Sequence, residues 1–319
     1  MDQANGRAVR PLTESGLLAA LTVALALAAV YLPVLGMVAL VCWPLPIIVL
    51  VVRRGLRYGI MAVLVSAVLM AMLIEPLLSL RLVLSFGLTG LVLGYGFHRG
   101  WSGTRVFAAG FVSSVAAKLL AIALLFWVTA VNPFQMQLDM LSQSFDASFQ
   151  LYSELGIDAA SLSQSREQVE QGLHVVSLLL PLIVVIMGLI DTVVGFALGG
   201  RILRRLGTEV PSLPPFAEWR LPHAFLYVFG FALVGLYWGS SRDVTWLYEL
   251  SLNAEVLAIL AGLLQGLSLL HCVMRHYRLA TFFRIVIYVL VLMNGVLAQI
   301  VAFTGLVDMV FDYRRRLRR

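Results

Sequence analysis

The sequence predicts an all-α protein, a polytopic bundle of about eight or nine transmembrane helices with one amphipathic helix on its outer side. Only 13% of the residues are charged and 61% are hydrophobic. The apolar residues form long runs, and crossing a bilayer takes about 20 of them in succession. Arginine clusters separate the runs, and residues 132–172 hold six of the seventeen acidic side chains. A soluble protein would distribute these charges over its hydrated surface, so the pattern indicates repeated membrane crossings.

The first 205 residues contain six apolar runs that we interpret as spans. The first is a retained span and not a cleaved signal peptide, because the apolar sequence resumes directly after Pro33. Pro44 and Pro46 interrupt the second, and their missing backbone donors require compensation from protein or water at membrane depth. We predict the six spans at residues 14–31, 36–52, 58–74, 77–97, 106–131 and 173–200.

Residues 132–156 follow the fifth span and predict an amphipathic helix that is too polar to cross the membrane. Asn132 is a capping residue, Pro133 suits the first helical position, and Gly156 ends the pattern. Such a helix either packs on neighbouring loops or covers a binding site as a lid. Its apolar positions at helical spacing are Phe134, Leu138, Leu141, Phe145, Phe149 and Tyr152.

A proline-rich stretch, residues 211–222, introduces a second membrane region, residues 206–319, for which we predict two to four helices. The last apolar run, residues 279–310, either crosses once or is broken at Asn294-Gly295 into two half-length helices. The chain therefore has nine simple crossings, or eight crossings and a terminal hairpin. The two spans ahead of this run are expected at residues 223–237 and 252–274.

The positions of the arginines predict the orientation of the spans, because cytoplasmic loops are enriched in lysine and arginine. With a cytoplasmic N-terminus, the clusters at 53–57, 99–105 and 201–205 lie inside and the acidic segment lies outside. We therefore expect a multi-pass membrane protein with a cytoplasmic N-terminus. The arginines of residues 314–319 favour the terminal hairpin, since a ninth crossing would leave them outside. The formal charge of +6 indicates contact with anionic lipid and not with nucleic acid.

Two ionisable residues are predicted inside the membrane, where a charge costs roughly 3 kcal/mol or more. Lys118, the single lysine of the chain, is near the middle of the fifth span, and Asp191 is in the inner half of the sixth. At about 1.5 Å per residue, their depths differ by a distance that a lysine side chain can bridge, so we predict an ion pair. The pair either fixes the register of two helices or belongs to a ligand or coupling-ion site.

Other polar and aromatic residues near the outer ends of the spans are candidates for the same ligand site. Glu75 and Arg81 flank a predicted hairpin, where they either pair with each other or anchor it at the interface. The full set of candidate ligand residues is Tyr31, Glu75, Arg81, Lys118, Trp127 and Asp191.

The sequence gives no basis for a metal, a cofactor or an enzymatic reaction. Cys42 and Cys272 lie in apolar runs and form no disulfide framework or metal-ligand spacing. No serine or cysteine has a base placed near it by sequence. We therefore expect a protein that is not an enzyme, and the absence of a nucleotide-binding loop means that any ATP-driven step would come from a partner.

Small residues recur at every fourth position in several spans, which lets helices approach closely. Ala20, Ala24 and Ala28 form the longest of these stripes, on the first span, and are a candidate docking face for another membrane protein. The glycine pairs are expected to serve internal packing; they are Gly90 and Gly94, Gly195 and Gly199, and Gly262 and Gly266.

The second span and the turn after it read Leu45-Pro46-Ile47-Ile48 through Arg53-Arg54-Gly55-Leu56-Arg57-Tyr58-Gly59. With the alanine stripe and six spans whose ends both lie inside, residues 1–205 resemble the substrate-binding S components of energy-coupling factor transporters. The resemblance implies that the alanine stripe docks a transmembrane coupling subunit, which works with ATPase subunits. It also implies that ligand contacts come from the outer halves of spans 4 to 6 and from the loop after span 1.

Several further segments are similar to the YybS-like family of uncharacterised bacterial inner-membrane proteins, over the whole length of the chain. The family is distantly similar to S components and has additional C-terminal spans. The segments are Leu12-Thr13-Glu14-Ser15-Gly16-Leu17-Leu18-Ala19-Ala20, Trp219-Arg220-Leu221-Pro222, Gln265-Gly266-Leu267 with His271, and Gly305-Leu306-Val307-Asp308 with Phe311-Asp312.

Together these features predict an integral inner-membrane protein that binds or takes up a small molecule with partner subunits. The alternative is a membrane organiser or regulator that holds partner proteins and transports nothing. A transporter is expected to have a hydrated cavity that is reached from the outer face and lined by some of Tyr31, Arg81, Lys118, Trp127 and Asp191. An organiser is expected to be solid at that depth, with exposed grooves on its lipid face.

Overall fold

The structure, a computed structural model, describes residues 2–314, and the side chains from Thr13 onward except that of Ala159. Within this range all regular secondary structure is helical, which confirms the predicted all-α class. Eight helices are long and apolar enough to cross a membrane, and one further pair of helices is bent. The chain forms two compact units, Met1–Arg166 with Ile183–Leu213, and Glu167–Leu182 with Pro214–Arg319.

The first unit contains the helices of the predicted spans 1 to 5, each within a few residues of its expected position. Its fourth span is interrupted by a π-helical turn at Val83–Gly87. The helices are α1 (Asp2–Tyr31), α2 (Leu35–Cys42), α3 (Leu45–Arg54), α4 (Leu56–Leu73), α5 (Pro76–Leu82), α6 (Leu88–His98) and α7 (Gly103–Thr129).

The second span is broken as predicted, between α2 and α3. Pro44 precedes α3, and Pro46 occupies its first turn, where a missing N–H leaves no helical bond unmade. Residues 45–51 of α3 are all buried, so this half-span is central to the unit. Gly94 of α6 allows the close packing, because a Cβ at that position would lie 2.7 Å from the Cβ of Val51. The glycine pair Gly90 and Gly94 therefore serves internal packing.

An ion-pair cluster joins the start of the first span to the end of the second. Glu14 contacts Arg53 at 2.8 Å and accepts a hydrogen bond from Nε of Arg54 at 2.7 Å. The beginning of the membrane-spanning part of α1 and the end of α3 therefore lie at one end of the bundle. This is the arrangement expected when α1 and the α2–α3 pair each cross the membrane once.

The amphipathic segment forms α8 (Pro133–Glu154), with the predicted start and end. The Asn132 side chain accepts a hydrogen bond from the backbone N–H of Phe134 at 3.0 Å. Pro133 is the first helical residue, and Gly156 ends the turn after the helix with a φ of +80°. The interpretation of this segment as a capped amphipathic helix is therefore confirmed.

The sixth span begins later than the sequence indicated. Residues 173–178 belong to a separate helix, α9 (Ala159–Leu178), and the span itself is α10 (Leu180–Arg205). Pro181 explains the interruption, because it has no N–H to continue the α9 hydrogen-bond ladder. Asn253 of the second unit bridges the break, donating to the carbonyl of Leu178 and accepting from the N–H of Leu182.

Besides the end of α9 and the start of α10, the second unit contains α11 (Ala224–Ser241), α12 (Thr245–His276), α13 (Thr281–Met293) and α14 (Gly295–Phe311). The break predicted at Asn294 is confirmed, because α13 and α14 meet at an angle of 102°. The Asn294 side chain caps α14 by accepting from the N–H groups of Val296 and Leu297 at 3.0 and 3.1 Å.

Close backbone contact holds α14 against α12. A Cβ at Gly262 would lie 2.5 Å from the carbonyl oxygen of Ala302, and a Cβ at Gly305 would overlap the backbone of Gly262 and Gly266. Three glycines thus remove the side chains that would separate the two helices. The predicted pair Gly262 and Gly266 serves internal packing, together with Gly305.

Candidate functional site

The two ionisable residues predicted within the membrane form an ion pair. Lys118 on α7 donates from Nζ to Oδ2 of Asp191 on α10, which confirms the predicted contact. Nζ also donates to the hydroxyl of Ser114, one helical turn earlier on α7, at 3.2 Å. The lysine and aspartate side chains retain only 10% and 12% of their exposure. Both charged groups are therefore nearly buried, and each depends on the other as its counter-charge.

An aromatic ring covers the lysine. Nζ of Lys118 lies 5.1 Å from the centre of the Phe86 ring, within the range of a cation–π interaction. Phe86 belongs to the π-helical turn Val83–Gly87, and such turns occur frequently at functional sites. The Trp43 ring packs beside Phe86, with its centre 6.2 Å from that of the Phe86 ring.

Trp43, which contacts Phe86, has an unpartnered polar group. Its side chain is fully buried, and among the described residues its indole N–H has no acceptor. A buried N–H without a partner costs about 1–3 kcal/mol. The sequence did not single out Trp43 or Phe86, because aromatic residues in apolar runs are usually core residues.

Small residues bring α7 and α10 together beside the pair. A Cβ at Gly188 would lie 2.7 Å from Cγ2 of Val115. Gly110, one turn before Ser114 on α7, has Thr192 of α10 as a neighbour, 3.3 Å from where its Cβ would lie. These contacts fix the separation of the two helices, and so the length of the Lys118–Asp191 contact.

The other four candidate ligand residues are exposed on the surface of the unit. Tyr31 and Trp127 keep 63% and 83% of their exposure. Glu75 and Arg81 are also exposed, and these two described residues make no ion pair with each other within 4.0 Å. The structure records no contact between these four side chains and the Lys118–Asp191 pair within the described part of the chain. Aromatic and basic residues at span ends are typical of interfacial anchors.

The alanine stripe on α1 is partly exposed. Ala20 and Ala24 face away from the first unit and Ala28 is half-buried, whereas Ala19 and Ala26 lie in its core. Leu17 and Leu21 flank the stripe on the exposed side. The stripe therefore forms part of the outward surface of α1, and the opposite face of the helix packs in the bundle.

A second buried polar cluster lies in the second unit. Asp308 contacts Nε of Arg314 at 3.4 Å and accepts from the Gln265 side-chain amide at 2.7 Å. Arg314 also donates to the hydroxyl of Ser268 and to the carbonyl of Ala217. All of the side chains that take part are at most 3% exposed. Segments 219–222, 265–267 and 305–308, which carry the family resemblance, are distant in the chain and meet at this cluster.

His271 is a structural residue of the second unit. Its Nδ1 lies 2.7 Å from the hydroxyl of Tyr288 on α13, and the two rings stack. No group of three or more His, Cys, Asp or Glu side chains comes together as a metal site in the described residues.

Comparison with known proteins identifies the family of this chain. A family model described as "Predicted membrane protein (DUF2232)" matches residues 20–309. The chain is 24% identical to "Uncharacterized protein YybS" of Bacillus subtilis (strain 168) over 315 residues, which cover 97% of this chain and 99% of that relative. No solved structure matches. The match extends across the first six spans and the bent helix pair, and the chain belongs to the DUF2232 family of predicted membrane proteins.

Proposed function

We propose that this membrane protein binds a small polar ligand within its first six spans and moves it across the membrane with partner subunits. The observation that carries the proposal is the Lys118–Asp191 pair, enclosed by Ser114 and Phe86. A buried ion pair is weak evidence for a stabilising role, because well-packed apolar side chains of similar volume serve stability as well or better. Ionisable residues within spans commonly mark the path of a substrate or ion.

The pair restricts the chemistry of the ligand. A ligand that separates Lys118 from Asp191 has to replace the partner of each charge, since a buried charge left alone costs about 3–5 kcal/mol. A small zwitterion meets this condition, with its anionic group on Lys118 and its cationic group on Asp191. The Ser114 hydroxyl, which already accepts from Lys118, is the neutral group in contact with the pair that supports such a ligand.

The partner subunit is assigned to the exposed face of α1. Ala20 and Ala24 present no large side chain, so a helix of another membrane protein can approach the α1 backbone closely. The resemblance to S components supports a coupling subunit with ATPase subunits as the partner. The proposal includes no chemical step. It places the protein in the bacterial inner membrane, which the family resemblance supports, with a cytoplasmic N-terminus, which the arginine distribution supports.

The exposed alanine face also supports the alternative, a membrane organiser that holds partner proteins without moving a solute. An organiser needs the α1 face but has no use for a ligand at Lys118 and Asp191. The two functions therefore separate when the pair and the face are changed independently.

The test is purification in mild detergent followed by mass spectrometry of the small molecules and proteins that remain bound. Three variants are compared with the wild type: Lys118→Met with Asp191→Leu, Ala20→Leu with Ala24→Leu, and, as a matched control, Arg166→Gln with Asp146→Asn. The control removes an ion pair that is about half exposed and lies outside the spans.

If the protein takes up a solute, the Lys118→Met/Asp191→Leu variant is expected to lose a bound zwitterionic molecule and to keep the partner proteins. The Ala20→Leu/Ala24→Leu variant is expected to lose the partner proteins. The control is expected to keep both. Partners without any ligand in the wild type would instead establish the organiser. Neither ligand nor partner in the wild type would overturn both functions.

A further inference from the structure

A hydrogen bond between α12 and α13 sets the register of the hairpin that these two helices form. Nδ1 of His271 on α12 lies 2.7 Å from the hydroxyl of Tyr288 on α13, and the two rings stack. The chain turns back between the helices over residues 277–280. Residues four apart lie on the same face of a helix. One turn closer to the connection, the next facing positions are therefore Arg275 on α12 and Arg284 on α13.

Two arginines thus face each other without an acidic side chain between them. Both are within electrostatic range of the His271 ring. Within residues 13–314 neither guanidinium makes an ion pair or a hydrogen bond. Arg275 is exposed, whereas Arg284 is half-buried and its Nε is shielded from solvent without an acceptor. Because buried donors are normally paired, the arrangement is suited to an anion that contacts both guanidinium groups.

The start of α13 adds partial positive charge within one turn of Arg284. Ala280 is the capping residue, and it makes no side-chain hydrogen bond to the first N–H groups of the helix. These N–H groups and the positive end of the helix dipole attract anions. The helix terminus therefore strengthens the attraction that the two arginines produce.

The lengths and surfaces of the two helices indicate which anion fits. The largely apolar part of α12 between Glu255 and Arg275 has 19 residues. At 1.5 Å per residue it is about 28 Å long, close to the roughly 30 Å hydrocarbon core, so Arg275 lies at the level of the lipid headgroups. Beside Arg284, the side chains of Phe282 and Phe283 are 70% and 57% exposed. Guanidinium groups next to an exposed apolar helix face match the two parts of a phospholipid.

We propose that Arg275 and Arg284 bind the phosphate group of an anionic phospholipid whose acyl chains pack on α13. Guanidinium groups donate charge-assisted hydrogen bonds to phosphate, and their planar N–H groups fit two oxygens at once. The phosphate then accepts from the Nε–H of Arg284, which is otherwise unpaired among the described residues. His271 and Tyr288 are positioning residues, because their hydrogen bond holds the two arginines opposite each other.

Binding is measured by native mass spectrometry of the full-length, delipidated protein in detergent. Short-chain phosphatidylglycerol, short-chain phosphatidylcholine and inorganic phosphate are added in turn. The wild type is expected to bind phosphatidylglycerol about tenfold more tightly than phosphatidylcholine, since basic pockets between spans favour anionic headgroups. Arg275→Gln with Arg284→Gln is expected to weaken the binding of phosphatidylglycerol by about tenfold or more. Arg284→Lys, which keeps the charge but not the planar group, is expected to fall between these two.

Two control variants separate this site from general surface charge and from the proposed function. Arg242 is an exposed arginine of the same unit whose guanidinium lies over the Trp238 ring, and Arg242→Gln is expected to leave lipid binding unchanged. Lys118→Met with Asp191→Leu is also expected to leave it unchanged. A failure of the uptake proposal is therefore distinguishable from a failure of this site.

Thermal unfolding with and without phosphatidylglycerol separates binding from folding. A ligand that binds the native state raises its unfolding temperature, so the lipid is expected to stabilise the wild type and not the double glutamine variant. Without lipid, that variant is expected to unfold at the wild-type temperature or above, because it loses two facing like charges.

Three results would contradict the proposal. Equal affinity of the wild type and the double glutamine variant for phosphatidylglycerol would overturn the site. Inorganic phosphate that binds as tightly as phosphatidylglycerol and displaces it would retain the phosphate contact and overturn the lipid as its source. A large drop in the unfolding temperature of the lipid-free variant would show that the arginines serve the fold, and it would overturn their assignment to a lipid.

Discussion

Replacing Asp191 with leucine is expected to destabilise the protein by about 3–5 kcal/mol, the cost of leaving a buried charge without its partner. The Lys118 side chain is 10% exposed, and its remaining contacts are the Ser114 hydroxyl and the Phe86 ring. A cation–π contact supplies about 1–2 kcal/mol and a neutral acceptor about 1–3 kcal/mol, so neither replaces a carboxylate. Lys118→Met is expected to cost a similar amount.

The double variant distinguishes the interaction energy of the ion pair from the separate contributions of its two side chains. With Lys118→Met and Asp191→Leu together, no charge remains in the site, and the expected change from the wild type is within about 1–2 kcal/mol, in either direction. The singles would sum to about 6–10 kcal/mol, so the expected coupling is at least about 4 kcal/mol. The free energy of unfolding is measured by reversible detergent titration in mixed micelles.

A matched control and a contrary result complete this experiment. Arg166→Gln breaks an ion pair whose side chains are 51% and 49% exposed, and it is expected to cost less than about 1 kcal/mol. A double variant that loses as much stability as the two singles combined would refute the reasoning. It would mean that each side chain has its own indispensable contacts and that their mutual charge is secondary.

Three further substitutions test the packing and the breaks in the helices. Gly305→Ala is expected to cost about 1–3 kcal/mol by thermal unfolding, because its Cβ meets backbone atoms of α12. Gly295→Ala is the control and should leave stability nearly unchanged, because no atom lies within 4 Å of its added Cβ. Equal effects of the two substitutions would contradict the close contact. Asn253→Ala is expected to cost about 1–3 kcal/mol and to speed amide exchange around residues 178–182; unchanged exchange would show that the break is held by other contacts. Asn294→Ala removes the α14 cap and is expected to cost about 1 kcal/mol, whereas no change in unfolding would mean that the two capped N–H groups are satisfied elsewhere.

Much of this fold can be predicted from the sequence, because the membrane restricts which segments can cross it. A span has to satisfy all of its backbone hydrogen bonds and exclude charge. Its length and its charged boundaries can therefore be recognised in the amino-acid sequence. The breaks at Pro44 and Asn294 were predictable for the same reason, since each has a local cause in the sequence. Lys118 and Asp191 were paired correctly because very few charges remain within the spans.

The features that were not predicted depend on contacts that local sequence does not encode. α9 is a polar helix, and polarity alone does not distinguish a helix from a loop. The sequence places Tyr31 and Trp127 at the outer ends of their spans but does not fix which way each helix face turns, and both side chains are exposed. Arg314 looked like one member of a basic tail, and only the folded second unit shows that it is buried beside Asp308.

The π-helical turn at Val83–Gly87 sets the rotational phase between the two halves of its span. In an uninterrupted α-helix, Ser79 and Gly90 would lie about 20° apart around the axis, because they are eleven residues apart at 100° per residue. One extra residue in the turn moves them to about 80° apart. Ser79 therefore donates to the carbonyl of Ala67 on α4 while Gly90 faces Ile47 of α3. Deleting one residue from this turn would rotate Ser79 and Gly90 toward the same side of the helix. Ser79 could then no longer face α4 while Gly90 faces α3.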